Sequence, residues 1–470
     1  VLGMLLALLG VRALLLFAPA DLAMGLVIRP DTYVLMFTVA VGLFSGILFG
    51  IAPAWQVSGM QQFEQLKEGG RTGMASKGRQ RLRAVLVAGE IALALILLVG
   101  AGLLLKSLSN LKGVSPGFDS RGVMTAAISL PESRYKEDAQ QIAFYRAVAQ
   151  RLASQPGVTS AAVATPIPFT GMVPSASFSI ENRLEGPGDP GPHSDLQWVT
   201  PAYFQAMGIP LRAGRVFTDE DRAGAPPAAI IDENLARQYW PEQNPIGQHL
   251  RRGSKSPWIT IVGVVAHVFP SALVGDTGKG ICYYPAYQQP INLAFLVART
   301  PMNPVSLASA MREAVRAVDS GQPIYDLKPM LERVDESLGP RRFGVTMVGF
   351  FAGVAVLLAA MGLFGIISYS VTQRTQEIGV RMALGAQRSD VLKLILGQGL
   401  RLALAGVGIG LVGSLGLTRV IASLLYGVSA TNPATFAAVA AMLAFVALLA
   451  CYLPARRAMR VDPIVALRYE

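Results

Sequence analysis

The sequence has few charged residues, few histidines and almost no cysteine. Only 15% of its 470 residues are charged and 52% are hydrophobic, which argues against an ordinary soluble protein. Cys282 and Cys451 build no disulfide framework, so we expect two free thiols. His193, His249 and His267 have no partner at metal-ligand spacing, so we expect them in loops or at the surface. The composition favours a membrane protein.

Long apolar segments divide the chain. A membrane-spanning helix needs about 20 mostly apolar residues, because each residue rises ~1.5 Å and the hydrocarbon core is ~30 Å thick. The qualifying segments are 33–55, 84–105, 343–371, 402–425 and 434–453, with 1–18 as a partial sixth. Between the second and third of the full segments lies a long polar stretch, 107–342. We therefore predict an all-α membrane bundle of about six helices that carries one large inserted domain.

The orientation follows from the basic residues of the short loops. Lys and Arg are concentrated in the linker 56–83, after residue 371 and in the tail, all on one side if the helices alternate. The positive-inside rule makes that side cytoplasmic and places 107–342 outside. No basic stripe is left over, so nucleic acid is not an expected partner. Cysteines placed at Ser194 and Ser76 should then react from outside and inside, respectively.

The sequence shows no catalytic site. A nucleotide-binding loop ends in Gly-Lys followed by Ser or Thr, since backbone amides cradle the phosphates and the hydroxyl holds magnesium. Gly278-Lys279 is followed by Gly280, and Lys106-Ser107 has no glycine before it. The external Ser and Asp residues show no nucleophile pattern. We therefore predict a non-enzyme without a cofactor or metal of its own.

The external stretch 107–342 has an α+β pattern. Alternating or β-branched runs predict strands at 123–130, 228–231, 258–268 and 293–297. Helical spacing predicts helices at 139–154, 233–239 and 304–318. Asp232 and Asn303 are expected to cap the last two. A Pro/Gly-rich loop at 185–192 is expected to separate two subdomains.

A weak repeat relates the two ends of the chain. Residues 53–55 (PAW) and 66–68 (LKE) have the same spacing as 454–456 (PAR) and 467–469 (LRY). If the repeat is real, segment 1–18 is a helix without its opening turns. The alternative to a real repeat is the general similarity of apolar helices. The alternative for segment 1–18 is a secretory signal peptide, because a small-residue motif at its end resembles a cleavage site.

Two parts of the sequence resemble known families. Residues 373–386 (QRTQEIGVRMALGA) and 454–469 resemble the cytoplasmic motif and the C-terminus of FtsX-like permeases. Residues 199–219 and 236–265 resemble the MacB-type periplasmic core domain. The leading part is similar to the duplicated acidobacterial-type permeases, but only the last two helices of a first unit are present, so we expect an N-terminally incomplete chain.

The resemblance implies a domain division. Residues 1–55 would be the last two transmembrane helices of a leading FtsX-like unit, followed by a cytoplasmic basic linker, 56–83. Residues 84–106 would be the first transmembrane helix of the trailing unit, and 107–342 the extracytoplasmic MacB-like core domain. Residues 343–470 would form an FtsX-like permease domain of three helices, a coupling segment and a cytoplasmic tail.

The function implied by the resemblance is that of an inner-membrane permease subunit of an ABC transporter. ATP and Mg would bind a separate ATPase, expected in two copies, whose motion passes through the membrane to the external domain and drives export. Further expected partners are membrane lipid, a second FtsX-like unit, fused upstream or from a homodimer, and a periplasmic or outer-membrane protein. Alternatives are a non-transporting signal relay that activates an envelope partner such as a cell-wall hydrolase, and a degraded unit without activity.

The resemblance also implies an ATPase-coupling segment over 375–386. Glu377 and Arg381 are four apart and are expected to pair on one helix face. Ile378, Met382 and Leu384 are expected to anchor the other face, and Gly385 to end the helix. The plainer alternative is a polar loop whose basic residues follow the positive-inside rule. The residues assigned to the segment are Thr375, Gln376, Glu377, Ile378, Gly379, Arg381, Met382, Leu384 and Gly385.

Glu90 is an acid inside a predicted span, where charge is costly and often functional. Because it lies seven residues beyond Arg83, near the membrane surface, we favour an interfacial or ion-paired role over a proton relay.

Overall fold

Helices begin and end the described chain, and twelve strands lie between them. The computed structural model describes residues 33, 36–44, 47, 72–183, 191–253, 255–274, 278–289, 291–385 and 387–459. The partial segment 1–18, the repeat at 53–68 and its counterpart 467–469 lie outside these residues, and the predicted span 33–55 is described only in part. The chain divides into two units, Val1–Asn110 with Pro340–Glu470, and Leu111–Gly339.

The first unit is helical, and its described helices are interrupted in sequence by the second unit. Its helices, numbered along the chain from residue 72, are α1 (Thr72–Lys112), α7 (Gly339–Gln373), α8 (Thr375–Ala383), α9 (Arg388–Ile421) and α10 (Pro433–Ala458). Helices α2 to α6 belong to the second unit: α2 (Asp138–Ala153), α3 (Tyr203–Met207), α4 (Glu233–Tyr239), α5 (Leu307–Arg316) and α6 (Met330–Ser337). The strands are β1 (Val123–Ser129), β2 (Ser160–Thr165), β3 (Ser175–Ser177), β4 (Ser179–Ile180), β5 (His193–Val199), β6 (Leu211–Gly214), β7 (Ala228–Asp232), β8 (His249–Arg251), β9 (Ile259–Val265), β10 (Ile281–Pro285), β11 (Leu293–Arg299) and β12 (Tyr325–Pro329).

Four described helices are long and apolar enough to cross a membrane. They are Arg81–Lys112, Gly339–Gln373, Arg388–Ile421 and Pro433–Ala458, and each contains or overlaps a predicted span. Helix α9 begins at Arg388, well before the predicted span at 402. The prediction counted only the apolar part of the helix, whereas its first turns carry polar residues. It ends at Ile421, where a 3-10 turn, Ala422–Leu424, replaces the last predicted residues.

Glycines bring the backbone of α9 close to α1. A Cβ atom on Gly406 would lie 2.8 Å from the carbonyl oxygen of Ala88, and one on Gly410 would lie 2.9 Å from that of Ala92. Small residues allow such an approach, and packing rather than water exclusion holds helices together in lipid. These two glycines therefore define a seam along which only a residue without a side chain fits.

The loop between α9 and α10 is tied to the end of α1. The backbone N–H of Tyr426 donates to the hydroxyl of Ser107 at 2.8 Å, and the side-chain amide of Asn110 donates to the carbonyl of Gly427 at 2.9 Å. Gly427 has a positive φ of 62°, a conformation that glycine adopts without strain.

The second unit is built on one mixed sheet. Its strand order is β12-β1-β11-β2-β5-β10-β7-β9-β8-β4, with β3 on β5 and β6 on β9. One hydrophobic cluster lies between β1, β2, β11 and helices α2 and α5, and a second lies around β7, β9, β10 and α4. Trp198 packs against both clusters. Most of the predicted subdomain loop 185–192 lies outside the described residues, and strands from both sides of it join this one sheet.

The predicted elements of the second unit are present with shifted ends. Strand β9 is shorter than the predicted 258–268, and α4 has the predicted bounds. Asp232 caps α4, since its carboxylate accepts from the N–H of Leu235 at 2.8 Å. Asn303 caps a 3-10 turn, Pro304–Ser306, that precedes α5, so the predicted helix 304–318 is in fact two elements.

The glycine seam is testable by a matched pair of substitutions. Gly410→Leu should destabilise the chain by roughly 1–3 kcal/mol, because the added atoms overlap the backbone of α1. Gly408→Leu, on the same helix with no atom within 4 Å of its Cβ position, should have little effect. Thermal aggregation of the purified protein in detergent measures both, and an equal response would contradict the seam.

Membrane topology can be tested by thiol labelling, but not at Ser194. That residue is 1% exposed, so a cysteine there would be unreactive from either side, and the side chain of Ser76 is outside the described part. Ser320 and Ser389 are exposed. In a variant without Cys282 and Cys451, Ser320→Cys should react with an impermeant maleimide from outside, and Ser389→Cys only after permeabilisation. The reverse pattern would overturn the orientation.

Candidate functional site

Helix α8 is a short helix set between the long helices α7 and α9. The hydroxyl of Thr375 donates to the carbonyl oxygens of Val371 and Thr372 at 3.1 and 2.9 Å, which closes the end of α7 where α8 begins. Gly385 has a φ of 98° and ends α8, since a residue with a side chain is strained in this conformation. A capping box at Gln387 starts α9 immediately afterwards.

One face of α8 is buried in the helical unit. Ile378 is 3% exposed and belongs to the hydrophobic cluster that includes Ile367 and Ile395. Met382 packs against the same cluster, and Gly379 is buried. These contacts agree with the predicted anchoring of Ile378 and Met382.

Leu384 is an exception, because it is 83% exposed and anchors nothing in the described unit. Its anchoring at the membrane surface therefore stays a prediction. Helix α8 ends at Ala383, and Leu384 is its C-terminal cap.

The opposite face of α8 carries a charged pair between two apolar side chains. Arg381 Nη2 lies 2.6 Å from Glu377 Oε1, and both side chains are about half exposed, at 52% and 48%. Val380 is 40% exposed, and the exposed C-terminal cap Leu384 follows three positions after Arg381, so these residues and Glu377 form an exposed stripe. An exposed pair of this kind stabilises a helix by only about 0.3–0.5 kcal/mol. The stripe is therefore a surface available for contact rather than a source of stability. The side chain of Gln376 is not among those described.

In the second unit, a buried arginine fixes α6, the helix that precedes α7 in the chain. Arg333 is 4% exposed, and its guanidinium donates to the carboxylate and the carbonyl of Asp326 at 2.6 Å each. It also donates to the hydroxyl of Thr125 on β1 at 2.8 Å. Asp326 has a φ of 49°, at an irregularity where the β1–β12 register shifts. This irregularity places one carboxylate oxygen and the backbone carbonyl of Asp326 against Arg333. No pattern in the sequence indicated this contact.

The residues that resemble the periplasmic core motif are structural. Tyr203 is fully buried, and its hydroxyl accepts from the side chain of Gln197 at 2.7 Å. Arg215 donates to both carboxylate oxygens of Asp221, at 2.7 and 2.9 Å. Burial alone would raise the pKa of Asp221, but the hydrogen bonds from Arg215 and Thr218 outweigh it and hold this pKa below its usual value.

Two histidines have partners that the sequence did not reveal. His249 lies 2.8 Å from Glu181, and the ring of His267 contacts the buried carboxylate of Asp232. His267 lies in a loop, one of the two expected positions, although its side chain is only 11% exposed. Its partner is 35 residues away in sequence, so local spacing could not indicate it. Across the described ranges, no group of three or more His, Cys, Asp or Glu residues is arranged for a metal.

Glu90 lies against α7 rather than beside Arg83. A Cβ atom on Gly362 would be 2.6 Å from its carboxylate, whereas the guanidinium of Arg83 lies 4.8 Å from the ring centre of Tyr369. Within the part of the chain that the structure describes, no ion pair joins Glu90 to Arg83. The proton-relay alternative stays a hypothesis.

Four apolar helices interrupted in sequence by an α+β domain define a polytopic membrane protein with one large domain outside the bilayer. Family comparisons agree with this class. Residues 84–317 match the MacB-like periplasmic core domain, and residues 349–463 match the FtsX-like permease C-terminal family. The chain belongs to the MacB/FtsX-type permeases, which are multi-pass inner-membrane proteins with a periplasmic domain.

Curated relatives are similar at low identity. The macrolide export ATP-binding/permease protein MacB of Hahella chejuensis is 28% identical over 290 residues, which cover 59% of this chain and 43% of that protein. The pyoverdine export ATP-binding/permease protein PvdT of Pseudomonas syringae pv. syringae is 27% identical over 288 residues, with coverage of 59% and 43%. The chain thus spans under half the length of these relatives.

Among solved structures, the periplasmic region of MacB from Actinobacillus actinomycetemcomitans is 14% identical, with a TM-score of 0.33 and coverage of 48% of this chain and 95% of that one. The extracellular domain of the ABC-type transporter YknZ from Gram-positive bacteria is 15% identical, with a TM-score of 0.29 and coverage of 43% and 100%.

The buried guanidinium of Arg333 can be tested by its removal. Arg333→Met should lower the free energy of unfolding of the external domain by roughly 2 kcal/mol or more, because Thr125 and Asp326 lose their partner. Arg316→Met, at an exposed arginine of α5, should stay within about 0.5 kcal/mol of the parent. Urea unfolding followed by tryptophan fluorescence is suitable, since Trp198, Trp240 and Trp258 lie in this unit.

Proposed function

We propose that this chain is the permease subunit of an ABC-type exporter, driven by ATP hydrolysis with Mg on a separate ATPase. The observation that carries the proposal is the exposed stripe of α8, in which the Glu377–Arg381 pair is flanked by Val380 and Leu384. It lies on the cytoplasmic side by the positive-inside rule, where an ATPase is accessible. Charged pairs flanked by apolar side chains suit a specific but reversible protein contact.

The helix ends support mechanical transmission. Only Arg374 separates α7 from α8, and residues 384–387 connect α8 to α9, so a push on α8 acts on both long helices. Ile378 and Met382 seat α8 in the hydrophobic cluster, which prevents it from moving independently. A displacement of the ATPase surface is then passed into the membrane helices rather than absorbed by a flexible loop.

The external end of α7 follows directly from α6, with Leu338 between them. Arg333 fixes α6 to β1 and β12, and Lys328 adds an ion pair to Glu336 at 2.8 Å. Because α6 is bound to the sheet in this way, motion of α7 reaches the core domain as a whole. The proposed chain of elements is α8, α7, α6 and the sheet.

The proposed cargo class follows from the relatives, whose names describe export of macrolides and of pyoverdine. We propose export of an amphipathic or peptide-like compound from the outer side of the membrane. Two ATPase copies and a second FtsX-like unit, fused in the same polypeptide or supplied by another copy of this chain, would complete the machine. A periplasmic or outer-membrane partner is a further proposal.

The coupling surface can be tested by exchanging its two charges. The double variant Glu377→Arg with Arg381→Glu keeps an ion pair within α8 but inverts the charges that a partner meets. We expect normal membrane insertion with a loss of roughly tenfold or more in export-coupled ATP hydrolysis. The measurement is ATPase activity of the reconstituted permease with its ATPase.

The matched control exchanges Glu313 and Arg316, which are exposed on α5 of the external domain. Full coupled activity in the α8 variant would refute the coupling assignment. Substrate-stimulated hydrolysis in the parent supports an exporter, whereas a stable external partner with no substrate effect would favour the relay that activates a cell-wall hydrolase.

A further inference from the structure

A cleft that is open to solvent lies on the cytoplasmic side of the helical unit, between α1, α7 and α9. Arg81 and Arg83 enter it from the first residues of the α1 span, Tyr369 from α7 and Gln398 from α9. Donors from three helices therefore converge on one space. The positive-inside rule explains why basic residues lie on this side, but not why they share a cleft with an amide and a phenol.

The polar wall of the cleft offers hydrogen-bond donors. The guanidinium of Arg83 is held over the ring of Tyr369, 4.8 Å from its centre, which fixes its position. Gln398 uses its side-chain oxygen to accept from Ser370 at 3.3 Å, so its NH2 group remains to donate. Among the residues that the structure describes, neither Arg81 nor Arg83 has a carboxylate partner. An anion would satisfy all of these groups.

The other wall of the cleft is apolar. Ile366 and Leu402 line it, and they belong to the apolar helices α7 and α9, respectively. A free phosphate ion would use the arginines and leave this wall without a partner. A ligand with an anionic head and an apolar tail matches both walls.

We propose that the cleft binds an anionic phospholipid, with its phosphate between Arg81 and Arg83 and an acyl chain along Ile366 and Leu402. Arginine suits this role because its planar guanidinium donates two parallel hydrogen bonds to a phosphate. The bound lipid stabilises the last turn of α7, because Tyr369 also accepts from the side chain of Gln373 at 2.9 Å. The site does not depend on what the chain transports.

The test uses the full chain in nanodiscs and in detergent. Native mass spectrometry and the thermal aggregation midpoint are recorded with phosphatidylglycerol, with phosphatidylcholine and with soluble glycerol 3-phosphate. We expect retention and stabilisation by phosphatidylglycerol alone. Arg81→Gln with Arg83→Gln should weaken phosphatidylglycerol binding roughly tenfold or more, since each basic residue near the headgroups contributes to the attraction.

The charge-matched control is Arg388→Gln with Lys393→Gln, two exposed residues on the cytoplasmic turns of α9 that do not line the cleft. Because loss of basic residues also affects insertion, Arg81→Lys with Arg83→Lys serves as a second variant. It keeps the charge and should bind several-fold more weakly than the parent. An equal loss in both glutamine pairs, equal retention of phosphatidylcholine, or equal stabilisation by glycerol 3-phosphate would each overturn the proposal.

Discussion

The close approach of α9 to α1 is the constraint on which the helical unit depends. In lipid, apolar side chains gain nothing by leaving the bilayer for one another, so helices associate where their backbones can come near. Gly406 and Gly410 provide this approach, and the position of α9 then fixes Gln398 and Leu402 opposite the start of α1. The same helix begins at the capping box that follows α8. Both the cytoplasmic cleft and the hydrophobic cluster against which α8 packs therefore depend on Gly406 and Gly410.

Two kinds of ionic interaction have different consequences in this chain. Arg333 is buried and each of its three guanidinium nitrogens donates a hydrogen bond, so its loss leaves polar groups without partners inside the protein. The Glu377–Arg381 pair is half exposed and contributes little to stability. The first therefore maintains a rigid connection between α6 and the sheet. The second leaves its charges available to another molecule, which is the property that a recognition surface needs.

Much of the fold could be predicted because its signals are local. The membrane helices follow from the length of apolar runs, and β1, β7, β9 and β11 follow from β-branched or alternating residues. Strand β10 was missed because its sequence, ICYYP, is short and pairs with β5, more than 80 residues earlier. All five residues of β10 are buried, so the segment shows no alternation of apolar and polar residues. The single sheet that joins both hydrophobic clusters was missed because it pairs strands that are distant in sequence, and local patterns do not indicate such pairing.

The local geometry of α8 could be predicted only as far as the helix extends. The pairing of Glu377 with Arg381 follows from a spacing of four residues, whereas Leu384 lies past the last helical residue and turns outward. The role of these residues in coupling stays a prediction. His267 and Asp232, like Arg333 and Asp326, meet through turns and a bulge whose geometry depends on tertiary contacts.

The tie between Asn110 and Gly427 joins positions that are 317 residues apart. A Cβ atom on Gly427 would lie 3.2 Å from the amide nitrogen of Asn110, so the size of one residue restricts the other. We therefore expect a larger residue at one position to require a change at the other, although the whole external domain is encoded between them. A lineage that exchanged this domain for another would have to keep both flanks together. The insertion can diverge or be replaced as a cassette, while the two ends of the membrane unit must be inherited as a pair.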